Sequence, residues 1–227
     1  YAKADSLHTI IDTYTIPSPI KIYEISGTGL PTVSGITYSR NKHCFLDMCT
    51  DRQFLVPQTT MTVDGDNVVL NRSSAVLGGT RYYVDMNTYN KNNNVNYDHA
   101  YMLENNSVKS LIKNIITDTP SEVPYVISKD ARLKIKTKRI SMHSPVNISV
   151  YDSEGRHTGP CVDPEYLDMV CVDEEIPNSS YVAMGEDKYI NIPGDGVYTL
   201  KLGGYDAGTF TLNIDNYFYH NISNDRT

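Results

Sequence analysis

The chain has no tryptophan and only four phenylalanines among 227 residues, against eighteen tyrosines. It has no apolar run near the roughly 20 residues that a membrane-spanning helix needs. Positive charge is in deficit: 20 Lys and Arg face 27 Asp and Glu, a net charge of −7. That balance argues against a nucleic-acid partner, whose phosphates call for a basic face. Cysteine is scarce. Cys44 and Cys49 lie close in sequence, as do Cys161 and Cys171, but neither pair has CxxC spacing, so a zinc site is not expected. Two local disulfides and four free thiols both fit this spacing. No Gly-x-Ser-x-Gly occurs, so the chain carries no nucleophile elbow of the serine-hydrolase kind. No basic stretch leads into an apolar one at the start, and the first residue is Tyr1 rather than Met. A mature product, or a piece of something longer, is expected from this. The tyrosine bias is of the kind found on extracellular and cell-surface proteins, and that location is the expectation.

What is present is an ordinary globular composition, 40% hydrophobic and 21% charged. Residues 1–12 carry Ala4, Leu7 and Ile11 at helical spacing, and the prolines of "TIPSP" end the segment. "IKIYEI", "GITYS" and "TRYYVDM" read as strands, and "MTVDGDN" as a strand tip entering a turn. "NTYNKNNNVN" is poor in apolar residues and reads as a mobile loop. Val108, Leu111, Ile112, Ile115 and Ile116 then fall on one helical face, with Asn105, Asn106 or Ser107 as the cap. The prolines and acids of "TDTPSEVP" look like a linker. Beyond it, "RLKIKTKRI" alternates, with Leu133, Ile135 and Thr137 on one face and lysines on the other. "VNISVYDSEGR", "KYINIPGDGVYTLKLGG" and "GTFTLNID" continue the pattern of short strands and glycine-rich turns. An antiparallel sandwich of about seven strands is expected there. The domains expected are residues 1–119 and 120–227.

One histidine stands apart. His99 sits just before the amphipathic helix, in "NYDHAYMLENNSVKSLIKNII". A histidine acting as general base needs a carboxylate to orient it. Asp66, in the turn "VDGDNVVLNRSSA", is the first candidate; Asp64 and Asp98 are the alternatives, with Asp98 ranked last because adjacent residues rarely aim their side chains at each other. Taken together, "IKIYEISGTGLPT", "GDNVVLNRSSA" and "DHAYMLENNSVKSLIKNII" resemble the C-terminal third of α/β-hydrolases of the lipase and lecithin:cholesterol acyltransferase-like kind. Gly65 and Asp66 match that family's acid motif, while Asn67, Val68 and Leu70 depart from it. His99, Met102 and Leu103 match its histidine motif, while Ala100 and Tyr101 depart.

The resemblance covers roughly residues 20–117. It implies the C-terminal part of an α/β-hydrolase sheet, and with the strand pattern beyond it the chain is expected to be mixed α+β, that part followed by an all-β sandwich of immunoglobulin-like or jelly-roll-like kind. It implies that Asp66 and His99 are the catalytic acid and base of a serine esterase or lipase, acting on an ester or lipid-like substrate. The nucleophile would lie in an N-terminal part of the same gene product, outside this chain, and the chain alone would be inactive. The alternative is a non-catalytic extracellular β-sandwich module for binding or surface attachment. No organic cofactor is expected. The acids at 173–175 and the turn at 193–196 are candidate calcium ligands, but neither follows the EF-hand pattern, and solvated turns are the commoner outcome. Sequons at Asn71, Asn105, Asn147, Asn178 and Asn221 are what an Asn- and Ser-rich chain makes by chance.

Overall fold

The computed structural model describes residues 16–45, 48–74, 78–127, 134–143, 145–162, 170–184 and 187–220, together with 3, 5–7, 9 and 13. Of the expected N-terminal helix, Lys3, Asp5, Ser6, Leu7 and Thr9 are helical; Ala4 and Ile11 lie outside the described residues.

The first region builds a small sheet. Strand β1 (Tyr23–Thr28) pairs in parallel with β4 (Thr80–Asp85), and a two-residue β5 (Val126–Ile127) adds to β4 antiparallel. Between β1 and β4 the chain makes a separate long hairpin, β2 (Thr32–Phe45) and β3 (Met48–Thr62). Helix α1 (Met86–Asn93) follows β4 directly, capped by the Asp85 carboxylate, which accepts from Thr88 N. A 3-10 turn (His99–Glu104) leads to helix α2 (Asn106–Thr117). Asn105, one of three expected caps, accepts from Ser107 N and Val108 N. Val108 and Leu111 of α2 are buried with Leu30, Val84 and Met86, whereas Ile116, on the same expected face, is 77% exposed.

The second region is a sandwich of eight antiparallel strands: β6 (Lys134–His143), β7 (Val146–Tyr151), β8 (His157–Val162), β9 (Val170–Glu174), β10 (Ser180–Met184), β11 (Asp187–Pro193), β12 (Thr199–Gly204) and β13 (Thr211–His220). They form two four-stranded sheets, ordered β10-β11-β6-β13 and β12-β7-β8-β9. Ile140, Met142, Ile190 and Ile192 from one sheet meet Val146, Ile148 and Val150 from the other, as period-2 strands with one face inward must. The disulfide Cys161–Cys171 joins β8 and β9 where the two residues are register partners. Cys44 and Cys49 are likewise register partners in the hairpin.

The expected fold class is therefore corrected. Among the described residues the chain is a β-rich fold of four sheets with few helices, not an α/β-hydrolase sheet layered by helices. The reason lies in the connections. Parallel strands need helical crossovers, and among the described strands only the β1–β4 pair is parallel; the other strand pairs are antiparallel, some joined by turns and others, such as β6 with β11 and β13, brought together across long connections. Two local expectations also change. The asparagine-rich "NTYNKNNNVN" is mostly helix α1 rather than a mobile loop. The lysine face of β6 is not simply solvated, because Ile140 and Met142 lie on it and Lys138 reaches Gly194 O over the Tyr198 ring. No helix among the described residues is long and apolar enough to cross a membrane.

Candidate functional site

The site lies where β1 ends and the two later loops return to it. After Thr28 the chain turns through Gly29, whose φ of 97° is left-handed and costs a glycine nothing. Leu30 then bridges in parallel to Asp66, with Leu30 N donating to Gly65 O. Gly65 is needed there: a Cβ would sit 2.6 Å from Thr32 Oγ1 and from Val69 O. Asp66 makes the local turn expected of it. Its Oδ1 accepts from Val69 N at 2.8 Å and Val68 N at 3.3 Å, and Asn67 takes φ 79° beside it.

The other carboxylate oxygen is what distinguishes this turn. Asp66 Oδ2 lies 2.8 Å from Nδ1 of His99, and His99 N donates to Asp66 O. One carboxylate thus serves both as turn aspartate and as histidine partner. The Asp66 side chain is 6% exposed and that of His99 50%. With Nδ1 donating to the carboxylate, Nε2 is left as the acceptor nitrogen of a neutral ring. His99 also lines a pocket of about 190 Å³, with Ile25, Met102, Leu103 and Ile112 as apolar walls and Ser26 and Asn71 among its polar groups.

The alternative acids are engaged elsewhere. Asp98 accepts from Ala100 N and caps the 3-10 turn. Asp64 bonds through its backbone to Asn71 and to the Thr62 hydroxyl, and burial raises its pKa. At the candidate calcium ligands, Asp173 meets His157, Glu174 accepts from Tyr181 N, Glu175 accepts from His157 N and Asp195 pairs with Lys136. No cluster of three or more His, Cys, Asp or Glu with metal-binding geometry occurs among the described residues.

Several contributors were not singled out from sequence. Gly27 permits the close approach on which the pair depends: a Cβ there would lie 2.8 Å from Asp66 Cβ and 2.9 Å from Met102 Sδ. The signal was a glycine inside a strand, which often marks such an approach. Ser26 and Ser74 form a polar chain at the pocket. Ser74 Oγ donates to Asn71 O, so the 2.7 Å contact leaves Ser26 Oγ as the donor to Ser74. Among the described residues two further histidine–aspartate contacts occur, His143 with Asp187 at 2.6 Å and His157 with Asp173 at 2.8 Å. Both are carried by paired strands of the sandwich.

No family model matches the chain, and neither a curated protein nor a solved structure matches it.

Proposed function

We propose that this chain supplies the acid–base pair of a serine hydrolase acting on an ester or lipid-like acyl substrate. Asp66 orients His99, and His99 Nε2 takes the proton of a serine borne by an N-terminal part of the same gene product, outside these residues. The observation that carries the reading is the 2.8 Å Nδ1–Oδ2 contact between a buried carboxylate and a half-exposed ring at a pocket. In acyl transfer a carboxylate on Nδ1 fixes the tautomer in which Nε2 is the base and steadies the imidazolium that forms. The apolar pocket walls suit an acyl group. The reading rests on this constellation and not on a hydrolase sheet. The Cys161–Cys171 disulfide supports an extracellular or cell-surface location, where such bonds persist.

The test is hydrolysis of short p-nitrophenyl esters by the longer gene product that includes these residues, beside the 227-residue chain alone. The long form turns over and the short one does not. Asp66→Asn and His99→Ala each lower kcat of the long form by about 10³-fold or more. Unchanged turnover in both variants overturns the proposal.

A further inference from the structure

The loop that delivers His99, residues 94–98, has no regular structure of its own. Its backbone position is set by side chains, and three asparagines do most of this. Asn90 of α1 is fully buried. Its Oδ1 accepts from Tyr97 N at 3.1 Å, and its Nδ2 donates to Tyr97 O at 2.8 Å and to Asn178 Oδ1 at 3.1 Å. Asn96 reaches the other way, into the sandwich. Its Nδ2 donates to Glu174 O and Ser179 O at 2.9 and 3.0 Å, and its Oδ1 accepts from Asn178 N at 2.8 Å. Asn178 closes the circuit by donating from Nδ2 to Asn87 O at 3.1 Å.

The amide orientations are fixed by chemistry. Carbonyls only accept and backbone N–H groups only donate, so neither Asn90 nor Asn96 can be flipped without breaking its bonds. Asparagine also suits the backbone at Asn178, whose φ of 64° is left-handed, a region asparagine tolerates better than most residues. Buried networks of this kind specify one arrangement only when every member is satisfied. Both N–H bonds and the carbonyl of Asn90 and of Asn96 are used.

We infer that the sandwich is a working part of the hydrolase site: its 174–179 loop, through Asn178 and Asn96, holds the His99 loop at the distance Asp66 requires. Asn90, Asn96 and Asn178 are positioning residues. None touches substrate, and each acts through Tyr97 and the backbone leading to His99. The loop is pinned at its far end by the His99 N to Asp66 O bond and at its start by Val95 N to Asn90 O, so releasing the clamp frees the stretch between them, which carries Tyr97.

The test reads His99 directly in the 227-residue chain, by ¹⁵N and proton NMR of the imidazole. The wild type shows a slowly exchanging Nδ1–H. Asn96→Ala and Asn178→Ala lose that signal, while Glu154→Gln, at an exposed side chain outside the clamp, retains it. Arg156→Gln, which removes a contact with Asn94 outside the clamp, also retains it. A purely structural role would lower the melting temperature of the alanine variants and leave the Nδ1–H unchanged, and that result overturns the inference. Should the alanine variants not fold, the wild type decides. Side-chain NH₂ protons of Asn90 and Asn96 exchanging at the same rate as His99 Nδ1–H support the clamp; unrelated rates overturn it. The inference rests on the acid–base reading only for what His99 does. Absent ester turnover sinks that reading, whereas an undisturbed His99 signal in the variants sinks the clamp.

Discussion

His99–Asp66 and His157–Asp173 have the same 2.8 Å contact through the same ring nitrogen, yet their surroundings differ at every other point. In the sandwich the ring of His157 stacks on Tyr151 with centroids 4.7 Å apart, and its Nε2 is buried with no partner. Neighbouring strands deliver both members of that pair, so register alone brings them together. In the first region two separate loops deliver the pair, the carboxylate is the buried member, and the histidine opens on a pocket. A short histidine–carboxylate distance is therefore not what makes a site. What separates the two is the setting of the ring: the second nitrogen of His157 is enclosed, whereas the half-exposed ring of His99 lines a pocket.

The comparison breaks most visibly in turnover. His99→Ala should lower ester hydrolysis by the long gene product about 10³-fold or more, while His157→Ala leaves kcat within twofold. Equal effects would erase the distinction. The sharpest structural perturbation is Gly27→Ala. Its new Cβ falls under 3 Å from Asp66 and Met102, so overpacking should cost about 1–3 kcal/mol in urea denaturation. It should also lower turnover, because Asp66 is the atom group displaced. A folded Gly27→Ala protein with full activity would mean that the Asp66 position is not critical. His157→Ala should cost a similar 1–3 kcal/mol or so through lost stacking, without any change in the His99 imidazole spectrum.

The smallest effect concerns Glu174, beside the clamp. Burial, and secondarily the charge of Asp98, raises its pKa above the ordinary 4.5, against the bond from Tyr181 N. A raised carboxyl pKa means that the folded state holds its proton more tightly than the unfolded one. Stability is then lost as pH rises from the ordinary value through the folded one. Glu174→Gln, which can still accept from Tyr181 N, should match the wild type near pH 3 and exceed it at pH 7 by less than about 1 kcal/mol, given partial solvent screening. Melting curves at both pH values check this; a gain at pH 3 only would reverse the sign.

The sequence carried the sandwich because its strands keep period 2 around turn residues, but in β6 the face that meets the opposite sheet is that of Ile140 and Met142, not that of Ile135 and Thr137, because the register of the pairing and not the lysines decides which face turns inward. It carried helix α2 and its Asn105 cap for the same reason, a clear 3.6-residue period behind a capping side chain. The Asp66–His99 contact was legible only through the resemblance and the chain order, since nothing local in "VDGDN" distinguishes a turn aspartate from a histidine partner. The long β2–β3 hairpin shows in the sequence only as one short strand and a strand tip, because polar, threonine-rich strands give a weak apolar alternation. Helix α1 escaped notice because its order comes from outside it. Low hydrophobicity signals a loop only when polar side chains face water, and Asn90 instead finds all its partners inside. Partners such as Asn178, 88 residues further along the chain, cannot be seen from composition.

The most direct test of the account is the tautomer of His99 in the wild-type chain, read from the ¹⁵N shifts of its two ring nitrogens at neutral pH. The account predicts a proton on Nδ1, shared with Asp66, and a bare Nε2. A ring protonated on Nε2 instead would place the proton on the nitrogen that has to accept one, and would contradict the acid–base assignment.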